Sequence, residues 1–312
     1  MGKGKWGESF LKTGLPLEHL TIVTLKTLGW DCSPHIEYKR NNREKNDEWF
    51  EIDCAASFTQ TNKSTILSLL IECKYHDLSR YWFFLPHNPE RWAFDDRFLN
   101  CAPFQTLTKP RSKSMLDLAP CSIWGTVVSK DGVKQDNAVN TAIQQIANGF
   151  VPYSLSTMFE YYIDYYNTHD PNNFVPNTAA LIPVVVTNAD IFRLNPNIVD
   201  LDLIRNATSP NDIADELPWT WCYFEHSMSL IDKNYEIIKE HKKKEAEIIF
   251  RYPLVKDRIE EFIDRPNWIA IVNIKALSKF ADTMTKHFMA VKTKSAKELL
   301  NPKEKKQHKR NH

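Results

Sequence analysis

The run Ala179-Ala-Leu-Ile-Pro-Val-Val-Val-Thr187 restricts the fold more than any other stretch of the chain. Strand side chains alternate between two faces, and here both faces are apolar. A strand at this place must lie inside a sheet that is covered on both sides. Pro183 lacks an N–H and weighs against a fully bonded interior position. A second apolar run, Leu67 to Tyr75, contains Ile71-Glu72-Cys73-Lys74 and reads as another strand.

The remaining elements follow from spacing and stop signals. Leu15 to Leu28 reads as a helix: Pro16 suits its first turn, Leu17, Leu20, Val23 or Thr24 and Leu28 recur at helical spacing, and Gly29 suits the position past its end. His35–Lys39 and Glu48–Phe58 read as strands joined across the polar residues 40–47. Asn137 to Ala147, followed by Asn148-Gly149, reads as a helix with a stop, and Leu155–Tyr166 as a second helix. Trp219–Phe224 and Trp268–Asn273 are further strands, and Leu277–Met289 is a closing helix. Between those strands, Asp232–Glu261 is highly charged and reads from Tyr235 as an exposed amphipathic helix. The segment from His76 to about Val133 is irregular and aromatic, with Tyr81-Trp82-Phe83-Phe84, Trp92, Phe94, Phe98 and Phe104. It is expected to be an insertion after the third strand that packs on the core or shapes a binding surface. The order of elements implies an α/β (α+β) fold around a mixed sheet flanked by helices.

Composition narrows the class. Hydrophobic residues at 42% and charged residues at 25% are those of a folded soluble protein, and 312 residues are enough to bury a sizeable core. No apolar window is long enough to span a membrane, and the start of the chain lacks the apolar segment of a signal peptide, so a cytoplasmic location is expected. The six cysteines are scattered without a Cys-x-x-Cys or a nearby His pair, which argues against zinc or disulfide frameworks. Residues 292–310 carry eight Lys and Arg against Glu298 and Glu304. This basic tail either adds attraction to phosphates or is a solubilising end.

Glu72 and Lys74 are two positions apart on one strand and so share a face, while Cys73 points the other way. Asp53 closes the preceding strand, and pairing of the two strands brings both carboxylates and the lysine to one spot. Two carboxylates can hold Mg²⁺ with open positions for water and phosphate, and a neighbouring lysine can orient or deprotonate the attacking water. That set suits phosphodiester hydrolysis. Acid-x-Lys triplets also occur at Glu37-Tyr38-Lys39, Glu240-His241-Lys242 and Glu304-Lys305-Lys306. Those sit in polar or basic surroundings, whereas Glu72-Cys73-Lys74 ends an apolar run. The plain alternative for the triplet is a surface ion pair at a strand end.

A helix bearing Glu18 and ending in Leu28-Gly29-Trp30, a strand ending in Asp53, and then Ile71-Glu72-Cys73-Lys74 together resemble the PD-(D/E)XK nuclease superfamily, in particular its Mrr-like restriction-endonuclease branch. The resemblance covers residues 10 to 75 well and 137 to 187 loosely. It implies a restriction-endonuclease-like sheet, Asp53 and Glu72 as ligands of Mg²⁺ (or Mn²⁺), Lys74 as the catalytic lysine, and Glu18 as a supporting acid. The Pro that precedes the family's Asp is Ile52 here. RecB-like members carry Gln-x-x-x-Tyr on the next helix, whereas Gln145 is followed by Gly149, which sets this chain apart from that subgroup. The implied organisation is a nuclease-like core over residues 1–230 with the insertion at about 76–135, a packed extension over 231–290, and the tail from 291. The implied activity is a DNA endonuclease of restriction or anti-phage defence, with RNA as the other substrate and a homodimer or defence-complex partner for double-strand cutting. The competing reading is a catalytically silent nuclease fold that binds nucleic acid or protein.

Other residues have a functional and a plain reading. Glu51 shares a face with Asp53 and is a further ligand or a solvated edge residue. His19, His35 and His76 lie near the site in sequence and titrate near neutral pH, although single histidines mostly have no such role. Lys39, Arg40 and Arg43 are phosphate contacts or a solvated loop. Tyr81 to Phe84 and Trp92 stack on bases or, more commonly for aromatics, pack the core.

Overall fold

The structure is a computed structural model that describes residues 5–42, 45–60, 65–76, 80–88, 118–130, 137–168, 178–244 and 263–290. Its first half contains α1 (Lys5–Leu11), α2 (Leu15–Thr27), β1 (Asp31–Asn42), β2 (Lys45–Gln60), β3 (Thr65–Lys74), β4 (Arg80–Pro86), β5 (Cys121–Ser129) and α3 (Ala138–Thr168). Its second half contains β6 (Thr178–Thr187), β7 (Asp190–Leu194), α4 (Leu201–Asn206), β8 (Ala214–Leu217), β9 (Trp219–Tyr223), α5 (Met228–Lys244), β10 (Trp268–Asn273) and α6 (Leu277–Ala290). The ten strands among the described residues form one mixed sheet in the order β1-β2-β3-β6-β10-β9-β5-β4-β7-β8.

The doubly apolar run becomes β6 and lies inside the sheet, parallel to β3 on one side and to β10 on the other. Its two faces feed two cores. Ile182, Val184 and Val186 join the cluster under α2 and α6, with Leu25, Ile71, Trp221 and Phe280; Leu181 and Val185 join the cluster under α3, with Trp82, Phe150 and Ile269. Pro183 is accommodated opposite Leu70 despite its missing N–H.

Several expectations change. The predicted helix stop at Gly149 is absent: α3 runs through Gly149 and Pro152 as one helix of 31 residues. Gly149 serves close packing, since a Cβ there would lie 2.1 Å from Ile52 Cδ1 and 2.9 Å from Tyr38 Cε1. On α2 the buried stripe is Leu17, Thr21 and Leu25, four apart, while Leu20, Val23 and Leu28 stay exposed. The expected end of that helix holds, with Gly29 at φ 82 and Trp30 N–H donating to Leu25 O, the left-handed stop that glycine favours. The expected 76–135 insertion contributes β4 and β5 to the sheet. β10 lies between β6 and β9, at the centre of the sheet rather than in an extension packed on it. Trp92, Phe94, Phe98, Phe104, the helix beyond residue 244, the tail from 291 and the side chains of Lys39, Arg40 and Arg43 lie outside the described residues.

One distortion positions the site. Cys32 and Tyr38 should share a face of β1 by alternation, as should Ile52 and Cys54 on β2. Yet Cys32 and Cys54 lie in the core under α2, and Tyr38 and Ile52 in the core under α3. Pro34 pairs with Cys54 and Ile36 with Ile52, so the change of face falls at His35 and Asp53. His35 has φ 51, a left-handed backbone that a side-chain-bearing residue rarely adopts. A local kink of this kind re-aims the side chains beside it.

Candidate metal and phosphodiester site

The kink, the C-terminal end of β3 and the start of α2 surround a cleft of about 410 Å³. It lies at the carboxyl end of a strand in the parallel part of the sheet, where α/β sheets commonly bind ligands. Asp53, Glu72, Lys74 and Glu18 all line it, together with Lys12, His35, Glu51 and Gln145. The four residues singled out from the sequence as catalytic therefore come together in one place.

Each is held by a specific contact. Cys73 N–H donates to Asp53 Oδ2 at 2.6 Å, which fixes the aspartate across the β2–β3 pair. Lys74 Nζ donates to Glu72 Oε1 at 2.6 Å. Glu72 is only 1% exposed, and its Oε2 is buried with no hydrogen-bond partner among the described residues. Cys73 points into the opposite core, where its Sγ meets Thr21 Oγ1 at 3.6 Å. Glu18 reaches the cleft from the first turn of α2. His35 and Glu51 form an ion pair at the mouth, through Nδ1 and Oε1. Gln145 projects from α3, and its Oε1 is likewise buried without a partner among the described residues.

The electrostatics favour a cation. Burial, then the nearby Asp53 carboxylate, pushes the Glu72 carboxyl up to about 7, against the smaller opposing pull of Lys74. Burial also raises Asp53, in spite of the Cys73 hydrogen bond, and raises Glu18, with Asp53 adding to it. Three carboxyls that each resist ionisation beside the others are stabilised in their charged form by a bound positive ion. At the mouth, the hydrogen bond that His35 donates to Glu51 raises the proton affinity of the imidazole.

Among the described residues no three His, Cys, Asp or Glu side chains stand close enough to hold an ion together. Mg²⁺ commonly takes one or two carboxylates and retains several waters. Asp53 and Glu72, the latter with its unpartnered buried oxygen, fit such a two-carboxylate site. No helix among the described residues is long and apolar enough to cross a membrane.

The other candidates divide. His19 and His76 do not line the cleft. His76 packs edge-on against Trp82, with its backbone clasped by the Asn188 amide at 2.7 and 2.5 Å. Trp82 and Phe84 are core residues, and Tyr81 and Phe83 pack on Phe192. Glu51 stands at the mouth and is half exposed. Lys12 went unremarked in the sequence. Gln145 was visible only as a broken motif, although a glutamine between Ile143 and Ile146 on an apolar helix face is itself a signal.

No family model matches the chain, and neither a curated protein nor a solved structure matches it.

Proposed function

We propose that this chain is a metal-dependent endonuclease that hydrolyses phosphodiester bonds of DNA, built on the PD-(D/E)XK plan of the Mrr-like branch. The observation that carries the reading is Glu72: a buried carboxylate with one oxygen on Lys74 and the other unpartnered, in an open cleft shared with Asp53. Desolvating a carboxylate in this way costs stability, and such groups concentrate at functional sites.

In this reading Asp53 and Glu72 would hold Mg²⁺ or Mn²⁺, which would supply charge stabilisation at the phosphoryl group and a more acidic water. Asp53 is fixed for that task by the Cys73 N–H. Lys74, tied to Glu72, is held where its ammonium can orient the attacking water or offset charge as the leaving oxygen departs. Glu18 supports the centre from α2 and adds to its negative potential. A restriction or anti-phage role, and a homodimer or complex for double-strand cutting, follow by analogy with the family.

The test is plasmid DNA incubated with purified protein and Mg²⁺, with EDTA and an RNA substrate as parallel arms. Nicking or linearisation that EDTA abolishes, and that Asp53→Ala and Lys74→Ala each reduce by several orders of magnitude, is the expected result. Cleavage that survives both substitutions sinks the site. An inert protein that still binds DNA or another protein favours the silent binding module.

A further inference from the structure

The mouth of the cleft holds a charged pair that the hydrolytic reading leaves unused. The cleft floor is acidic, so a phosphodiester that approaches it needs positive donors at the rim. His35 and Lys12 are exposed lining residues whose side chains can carry positive charge. Glu51 Oε1 accepts from His35 Nδ1, and in the imidazolium form of this ion pair the ring carries a second donor, Nε2–H. The two side chains are 58% and 52% exposed, so a ligand can reach the ring. His35 also sits opposite Asp53, at a backbone angle that glycine would adopt at lower cost. Strained non-glycine residues of this kind cluster at ligand-binding sites.

We propose that His35 is the substrate-side contact of this cleft: oriented by Glu51 through Nδ1–H, its imidazolium donates Nε2–H to a phosphate oxygen of the bound nucleic acid. Glu51 is then a positioning residue and not a metal ligand. The inference rests on the nuclease reading for the identity of its ligand. It goes further by assigning where the strand lies, across the β1–β2 kink with its scissile phosphate over Asp53.

His35→Gly separates contact from kink, because glycine keeps the left-handed angle and removes the imidazole. The probe is a fluorescently labelled DNA duplex, titrated by anisotropy with Ca²⁺ in place of Mg²⁺ to suppress turnover, with a thermal melt of each variant. His35→Gly is expected to weaken binding about tenfold or more, the usual loss for a charge-assisted hydrogen bond, while its melting temperature holds or rises. With Mg²⁺ the same variant raises KM more than it lowers kcat. At about pH 5.5, where an imidazole is mostly protonated without help, Glu51→Gln, which keeps an acceptor for Nδ1–H, retains most of the affinity; Glu51→Ala loses most of what His35→Gly loses. Unchanged affinity in His35→Gly, or a loss matched by a fall in melting temperature, overturns the inference while wild-type cleavage still supports the nuclease. If the wild type neither binds nor cleaves DNA, the two readings fall together.

Discussion

Among the described residues, two strands of the sheet carry a residue other than glycine in the left-handed region, His35 in β1 and Trp124 in β5. At Trp124 the pairing register shifts opposite Phe84 and Leu85, and the indole stands 69% exposed. The buried hydroxyls nearby are satisfied, while the indole N–H groups of Trp82 and Trp219 are buried without a partner among the described residues. Ser122 and Thr220 share a hydrogen bond of 2.7 Å, and Thr220 Oγ1 donates to Pro120 O at 2.7 Å. At His35 the same kind of distortion faces a cleft in which carboxylates crowd together, and oxygens of Glu72 and Gln145 are buried without partners among the described residues. Folding alone gains nothing from leaving those oxygens unpaired. The β5 kink thus accommodates packing, whereas the β1 kink borders a cleft into which carboxylates are gathered.

The sharpest way to break this comparison is Glu72→Gln, which should lose at least a thousandfold in cleavage and yet stabilise the metal-free protein. The Glu72 carboxyl rises from its ordinary 4.5 to about 7 in the fold. Its contribution to stability is therefore fully present below pH 4.5 and is lost as pH rises through about 7. At pH 8 in EDTA, urea unfolding should show the variant more stable by up to about 3 kcal/mol, less what Lys74 loses with its partner; at about pH 4 the difference should vanish. A variant that is less stable at both pH values would mean that Glu72 is structural.

A smaller effect is expected where the cleft meets its supporting helix. Gly149→Ala places a methyl within 2.1 Å of Ile52 Cδ1 and should cost about 1–2 kcal/mol, overpacking outweighing the helix propensity gained. Because Ile52 precedes Asp53, cleavage should fall in the same variant. Unchanged denaturation and activity would show that the close approach of α3 does not hold the kink.

The smallest effects come from relieving the kinks themselves. His35→Gly and Trp124→Gly should each change stability by less than about 1 kcal/mol, since released strain and lost backbone restriction nearly cancel. Only the first should alter DNA affinity. Equal effects of the two on binding would erase the distinction between the two ends of the sheet.

How much of this was legible in the sequence depends on the range of the interaction. β6 and the Asp53–Glu72–Lys74 constellation could be read because alternation and strand pairing are local, and the β2–β3 register does the rest. The buried stripe of α2 was misread because Leu20, Val23 and Leu28 look like core residues but stay exposed. Gly149 reads as a helix stop in the sequence because a stop and a close helix crossing select the same residue. β7 and β8 are five and four residues long, and the parallel pairing of β4 with β7 spans more than a hundred positions, so no local pattern announces it. The kink at His35 carries no glycine or asparagine to mark it, which is why the mouth of the cleft emerges only in three dimensions.

The most direct test of the central claim is an anomalous difference map from a crystal of this protein soaked in Mn²⁺. The account predicts a peak between Asp53 and Glu72, with Glu72 Oε2 turned toward the ion and solvent completing its shell. A Glu72 that stays paired with Lys74 alone, with manganese elsewhere or absent, would contradict it.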